Sequence, residues 1–160
     1  MSEENAVQVY FLDSSAIVKR YALEDGTGWV NGICDPTAGN IITISHIGLA
    51  EVAAALAAKR RAEALSTQDY EQTMADFISD AHRQYTAVIV DALLVDLAVD
   101  LTRRQKLRGC DAIQLASALT INTSLTLQQL PPLIFVAADS DLLAAASAEG
   151  LTVENPNAHI

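Results

Sequence analysis

Four acidic residues stand where carboxylates can do chemistry: Asp13, Glu51, Asp111 and Asp139. Each lies at the end of a predicted strand, or in the first turns of a helix that follows a strand or a break. Taken singly, an acid in such a place is a helix cap or a solvated side chain, and the helix dipole alone accounts for it. Taken together, the four could converge on one crevice, where they would repel one another and raise their pKa values unless a cation compensated. The cation that suits a set of carboxylates is Mg²⁺ or Mn²⁺, hard ions that prefer oxygen ligands and keep several waters. Zinc does not suit this chain, because His46, His82 and His159 have no ligand spacing. The chain has no phosphate-binding loop, nucleophile elbow or dinucleotide fingerprint. Activated water attacking a phosphodiester is then the chemistry such a cluster would support.

The elements that must position these acids follow from the hydrophobic pattern. Val7 to Leu12 is β-branched or aromatic on both faces, as in a central parallel strand covered by helices, and it delivers Asp13 to its C-terminal end. Helix is expected from Ser15 to Ala22 and again from Thr27 to Asp35, separated by the break Glu24-Asp25-Gly26. Asn40 to Ser45 is a second strand, leading into an alanine-rich helix from His46 to Ala64 with Glu51 on its apolar part. Ser66-Thr67 caps a helix from Gln68 to Gln84 with Tyr70, Met74, Phe77 and Ile78 inside. Thr86 to Val90 is a third strand, and Asp91 opens a helix to Gln105. The break Leu107 to Asp111 precedes a helix from Ala112 to Thr120. Asn122 to Gln129 and Pro131-Pro132 read as a connection. Leu133 to Ala138 is a fourth strand, ending at Asp139, and Leu142 to Glu149 is a helix stopped by Gly150. Leu151 to Val153 adds an edge strand. Strands alternating with helices predict a three-layer α/β/α sandwich with a mostly parallel sheet, in one domain over residues 1–160.

Composition narrows the function classes. A net charge of −10 argues against a protein that holds nucleic acid through a broad basic surface. All basic residues lie at or before Arg108. Lys19, Arg20 and the cluster from Arg103 to Arg108 are the candidate contacts to a nucleic-acid backbone, against a solvated-face reading of the second group. The acidic start MSEEN lacks an apolar leader, and no run approaches the ~18 apolar residues of a membrane span. Cys34 and Cys110 have no zinc spacing. A soluble cytoplasmic protein is expected.

Four stretches carry a resemblance: LDSSAIVKRY (Leu12 to Tyr21), ISHIGLAEVAAAL (Ile44 to Leu56), LRGCDAIQLASAL (Leu107 to Leu119) and FVAADSDLLAAASAEGL (Phe135 to Leu151). In this order they resemble the PIN domain of VapC-type toxins from bacterial toxin-antitoxin pairs, over nearly the whole chain. The resemblance implies a PIN fold and a magnesium-dependent endoribonuclease acting on RNA, commonly a homodimer. Asp13, Glu51, Asp111 and Asp139 match the family's four acids in turn, and Asp141 could share the fourth role. Asp13, Asp111 and Asp139 would coordinate metal, while Glu51 is either a ligand or the group that orients water. Ser15 falls where the family often has a hydroxyl near the metal. The segment from Asp111 to Asp139 is longer than in many members, which bears on the rim of the site or a dimer contact. The expected protein partner is a small antitoxin that sets a basic side chain into the crevice. The competing reading is a PIN-like module that binds RNA or protein without cutting. A phosphoaspartate phosphatase is disfavoured because Ser15 stands where its second Asp would be.

Overall fold

The computed structural model describes residues 7–160. The start MSEEN lies outside them. Five short strands, β1 (Val9–Leu12), β2 (Ile41–Ser45), β3 (Thr86–Val88), β4 (Ile134–Val136) and β5 (Thr152–Glu154), form one all-parallel sheet in the order β3-β2-β1-β4-β5. The expected α/β architecture is therefore the observed one. Strand β1 is central, and the chain winds away from it in both directions. The junction of β1 and β4 is thus a topological switch point, where open parallel sheets bind ligands beyond their strand ends.

The helices are α1 (Ser14–Tyr21), α2 (Thr27–Cys34), α3 (His46–Arg61), α4 (Thr67–Arg83), α5 (Ala92–Arg104), α6 (Gly109–Leu127) and α7 (Ser140–Ala148). They make two layers because the strands alternate. Phe11 and Phe135 face one way and stack at 5.7 Å among side chains of α5, α6 and α7. Leu12, Ile42, Ile44 and Val136 face the other way, into side chains of α1 to α4. Side chains two apart share a face, so each central strand feeds both cores.

One boundary and one burial differ from expectation. Helix α6 continues through the polar stretch 122–127, which the sequence suggested was a connection. Its polar residues serve the helix: Thr126 Oγ1 donates to the Asn122 carbonyl, Asn122 Oδ1 receives the Leu133 N–H, and Leu125 is buried. This helix takes up much of the extra length between Asp111 and Asp139. Ile78 is 48% exposed on the rim of a groove rather than inside. Among the described residues, no helix is long and apolar enough to cross a membrane.

Candidate metal centre and RNA-cleaving site

Asp13 ends β1 and caps α1. Its Oδ1 accepts the Ala16 N–H at 3.0 Å and the Ser15 hydroxyl at 2.6 Å, and among the described residues neither bond falls on Oδ2. Capping therefore occupies one oxygen of the carboxylate and leaves the other available. Ser15 Oγ also accepts the Ala138 N–H at 3.0 Å, and the Asp13 N–H reaches the Val136 carbonyl at 3.0 Å. These bonds tie the β1 end to the loop that carries Asp139. They cross the switch point itself.

Asp139 repeats the pattern as the cap of α7, its Oδ1 accepting the Leu142 N–H at 2.9 Å. Glu51, half-buried on α3, accepts the Gln114 amide at 2.7 Å through Oε1. In all three acids one oxygen is held by the protein, and the recorded bonds leave the other free. Asp111 lies in the first turn of α6, half-buried.

The electrostatics link the four acids in series. Burial pushes Asp13 up to about 7 from an ordinary 3.8; the bonds from Ser15 and Ala16 oppose this, and the charges of Glu51 and Asp111 add to it. Asp111 is also raised, first by burial and then by the charge of Asp139, against the pull of Arg108. Such mutual repulsion is what a bound cation relieves. Among the described residues no three His, Cys, Asp or Glu side chains stand close enough to enclose an ion by themselves. This still suits Mg²⁺, which is ordinarily held by one or two carboxylates with water completing the shell.

Asp111, Asp139 and Asp141 line a cleft of about 300 Å³ with Lys106, Leu107 and Arg108. Lys106 Nζ lies 3.6 Å from Asp141, both side chains exposed. Two other basic candidates are corrected by the structure. Lys19 is only 4% exposed and bonds Glu24 at 3.1 Å, in a pair that Lys59 completes. Arg20 donates to Gln84 and Tyr85 at 2.8 Å and lies against the Tyr21 and Tyr85 rings. Both are spent on structure. Arg104 is likewise committed to Asp100 and Glu149. Gln114 was not singled out from the sequence, although a glutamine amid Ile113, Leu115 and Ala116 was the available signal.

No protein-family model matches the chain. It is 32% identical over 145 residues to Ribonuclease VapC45 of Mycobacterium tuberculosis, covering 91% of this chain and 93% of the relative. VapBC2 from Rickettsia felis, solved bound to a DNA fragment from its promoter, shares the fold with a TM-score of 0.63 at 15% identity, over 92% of this chain and 98% of that one. VapC20 of Mycobacterium tuberculosis, a sarcin-ricin loop cleaving toxin, does so with a TM-score of 0.57 at 18% identity, over 89% of this chain and 96% of that one. With Asp13 and Asp139 beyond the strand ends of a parallel sheet and this identity along nearly its full length, the chain belongs to the VapC ribonucleases, the PIN-domain toxins of toxin-antitoxin pairs.

Proposed function

We propose that the chain cleaves RNA with the help of Mg²⁺ or Mn²⁺ held at Asp13 and Asp111 with water completing its shell, Asp139 facing the same cation through water, and Glu51 as a further ligand or as the group that orients the attacking water. The observation that carries this reading is the free oxygen on each tied carboxylate, set beside a buried Asp13 whose charge is opposed by its neighbours. When bound, such a cation makes water a stronger acid and offsets the negative charge of the phosphate. The protein's own part is to hold these oxygens still. Ser15 and Ala16 fix Asp13, and Leu142 fixes Asp139. Lys106 and Arg108, at the cleft, are placed to take the RNA phosphates that the acids would repel.

Two protein partners belong to the same proposal. A small antitoxin suits the apolar groove of about 470 Å³ lined by Leu49 and Ala53 of α3, the helix that carries Glu51, and by Met74, Phe77 and Ile78 of α4. An arginine from it would match the carboxylates of the crevice. A second copy of the chain suits the α5 and α6 face, where Val99 is 57% exposed beside Val95 and Ile113. The free thiols Cys34 and Cys110 accord with a reducing cytoplasm.

The test is thermal unfolding and total-RNA cleavage with Mn²⁺ and with EDTA, for wild type, Asp13→Asn and Asp111→Asn. Saturating Mn²⁺ at about a hundred times its Kd stabilises a single-site protein by about 2.7 kcal/mol. The wild type should show a saturable rise and metal-dependent cleavage, and both variants should lose both. Cleavage that persists in EDTA, or a rise that both variants keep, would refute the metal centre. A wild type that neither binds Mn²⁺ nor cuts RNA would leave the non-cutting module.

A further inference from the structure

Gln114 is 2% exposed on α6, in a run of apolar residues. A buried amide there costs free energy unless its groups are bonded. Its Nε2 donates to Glu51 Oε1 at 2.7 Å, while its Oε1 is buried with no partner among the described residues. Ser45 Oγ, at the end of β2 where α6 packs, is also buried and unpartnered. The local backbone leaves little spare room for the amide. Gly48, one turn before Glu51 on α3, is buried, and a Cβ there would come within 3.3 Å of Gln114 Nε2 and 2.9 Å of Ile44 Cγ1. A leucine or methionine at position 114 would fill this volume without leaving an orphaned oxygen. Among the described residues the amide has one polar contact, and that contact is Glu51.

We infer that Gln114 is a positioning residue for RNA cleavage, and that it divides the labour among the four acids. By tying Glu51 Oε1 from the side of α6, it holds Glu51 on its own arm of the site with Oε2 as its one working oxygen. Glu51 thereby orients the attacking water, and the primary hold on the cation rests with Asp13 and Asp111. The bond also fixes the rotation of a flexible side chain that no other recorded hydrogen bond restrains. Outer residues that orient a metal site typically change affinity or activity about 10- to 100-fold when removed. This inference rests on the metal-dependent cleavage proposed above.

The experiment is a double-mutant cycle on cleavage of total RNA in saturating Mn²⁺, using Gln114→Met, Glu51→Gln and the pair, with Mn²⁺ affinity and thermal unfolding measured on each. If Gln114 acts through Glu51, Gln114→Met lowers kcat about 10- to 100-fold with KM unchanged, and adds nothing once Glu51 is already Gln. Its Mn²⁺ affinity stays near that of wild type, because Asp13 and Asp111 are untouched. Gln114→His, which keeps an N–H donor, recovers most of the rate and guards against a Met variant that fails to fold. Additive losses, full activity in Gln114→Met, or a rate loss in both variants that follows their loss of thermal stability would overturn the inference. If the wild type itself shows neither Mn²⁺ binding nor cleavage, it is the underlying metal reading that has failed.

Discussion

Asp13 gives one oxygen to its helix cap, and its burial sets the charged carboxylate against stability. The folded protein keeps a proton on Asp13 up to about pH 7, whereas the unfolded chain loses it near 3.8. Between these values the native state binds more protons than the unfolded state, so stability falls as pH rises and the deficit is complete above about 7. Three pKa units at about 1.4 kcal/mol each set a ceiling of about 4 kcal/mol. Asn at position 13 keeps an oxygen for the Ser15 and Ala16 donors and carries no charge. In EDTA at about pH 8, Asp13→Asn is therefore expected to unfold several degrees above wild type, with the gap closing towards about pH 4. Saturating Mn²⁺ should reverse the order, since only the wild type gains from it. Scanning calorimetry at both pH values checks this. A variant less stable than wild type in EDTA at the higher pH would mean that a fixed positive group already compensates Asp13.

At the scale of elements, the joints between segments decide what a sequence reveals. The break at Glu24-Asp25-Gly26 was legible, because glycine after two acids ends a short helix. What it makes room for was not. Gly26 has φ +85°, and a Cβ there would stand 2.3 Å from the Pro156 carbonyl oxygen. The C-terminal turn is further held by His159, which stacks on Trp29 of α2 at 4.4 Å and contacts Glu154 at 3.0 Å. Gly26→Ala combines a left-handed backbone with a backbone collision, and is expected to cost about 2 to 4 kcal/mol in urea unfolding. A loss under about 1 kcal/mol would show that the terminal turn yields freely. The strands were legible for the opposite reason, since β-branched runs need only their own composition to declare themselves. Helix α6 was not, because the residues of 122–127 that bond back onto their own helix have the polarity of a loop. Lys19 looked available for RNA because the sequence cannot show that Glu24 and Lys59 close over it. Of the candidate acids, strand ends pointed to Asp13 and Asp139, and the first turns of helices to Glu51 and Asp111. Gln114 was overlooked because an uncharged amide in an apolar run does not advertise its partner 63 residues away.

At the scale of the whole molecule, an acidic protein that cuts a polyanion must keep its attraction local. Of the ten basic residues, Lys19 and Lys59 are paired with Glu24, Arg20 with a tyrosine pair and Asp80, and Arg104 with Asp100 and Glu149, while Arg60, Arg61, Arg83 and Arg103 do not line the cleft. Lys106 and Arg108 remain at the cleft. Two phosphate contacts imply a shallow salt dependence, because each contact to single-stranded RNA contributes about 0.7 to the slope of log Kd against log salt. Anisotropy of a labelled RNA in EDTA, where the proposed cleavage is silent, should therefore give a slope of about 1.4. Arg108→Ala and Lys106→Ala should each lower it by about 0.7, uniformly across RNA sequences. Arg83 closes α4 just before β3 begins, at the end of the sheet opposite the acids, so Arg83→Ala should leave the slope unchanged. An equal fall for Arg83→Ala would mean that RNA is held by diffuse charge. With a net charge of −10, such binding would have to work against the protein's own field.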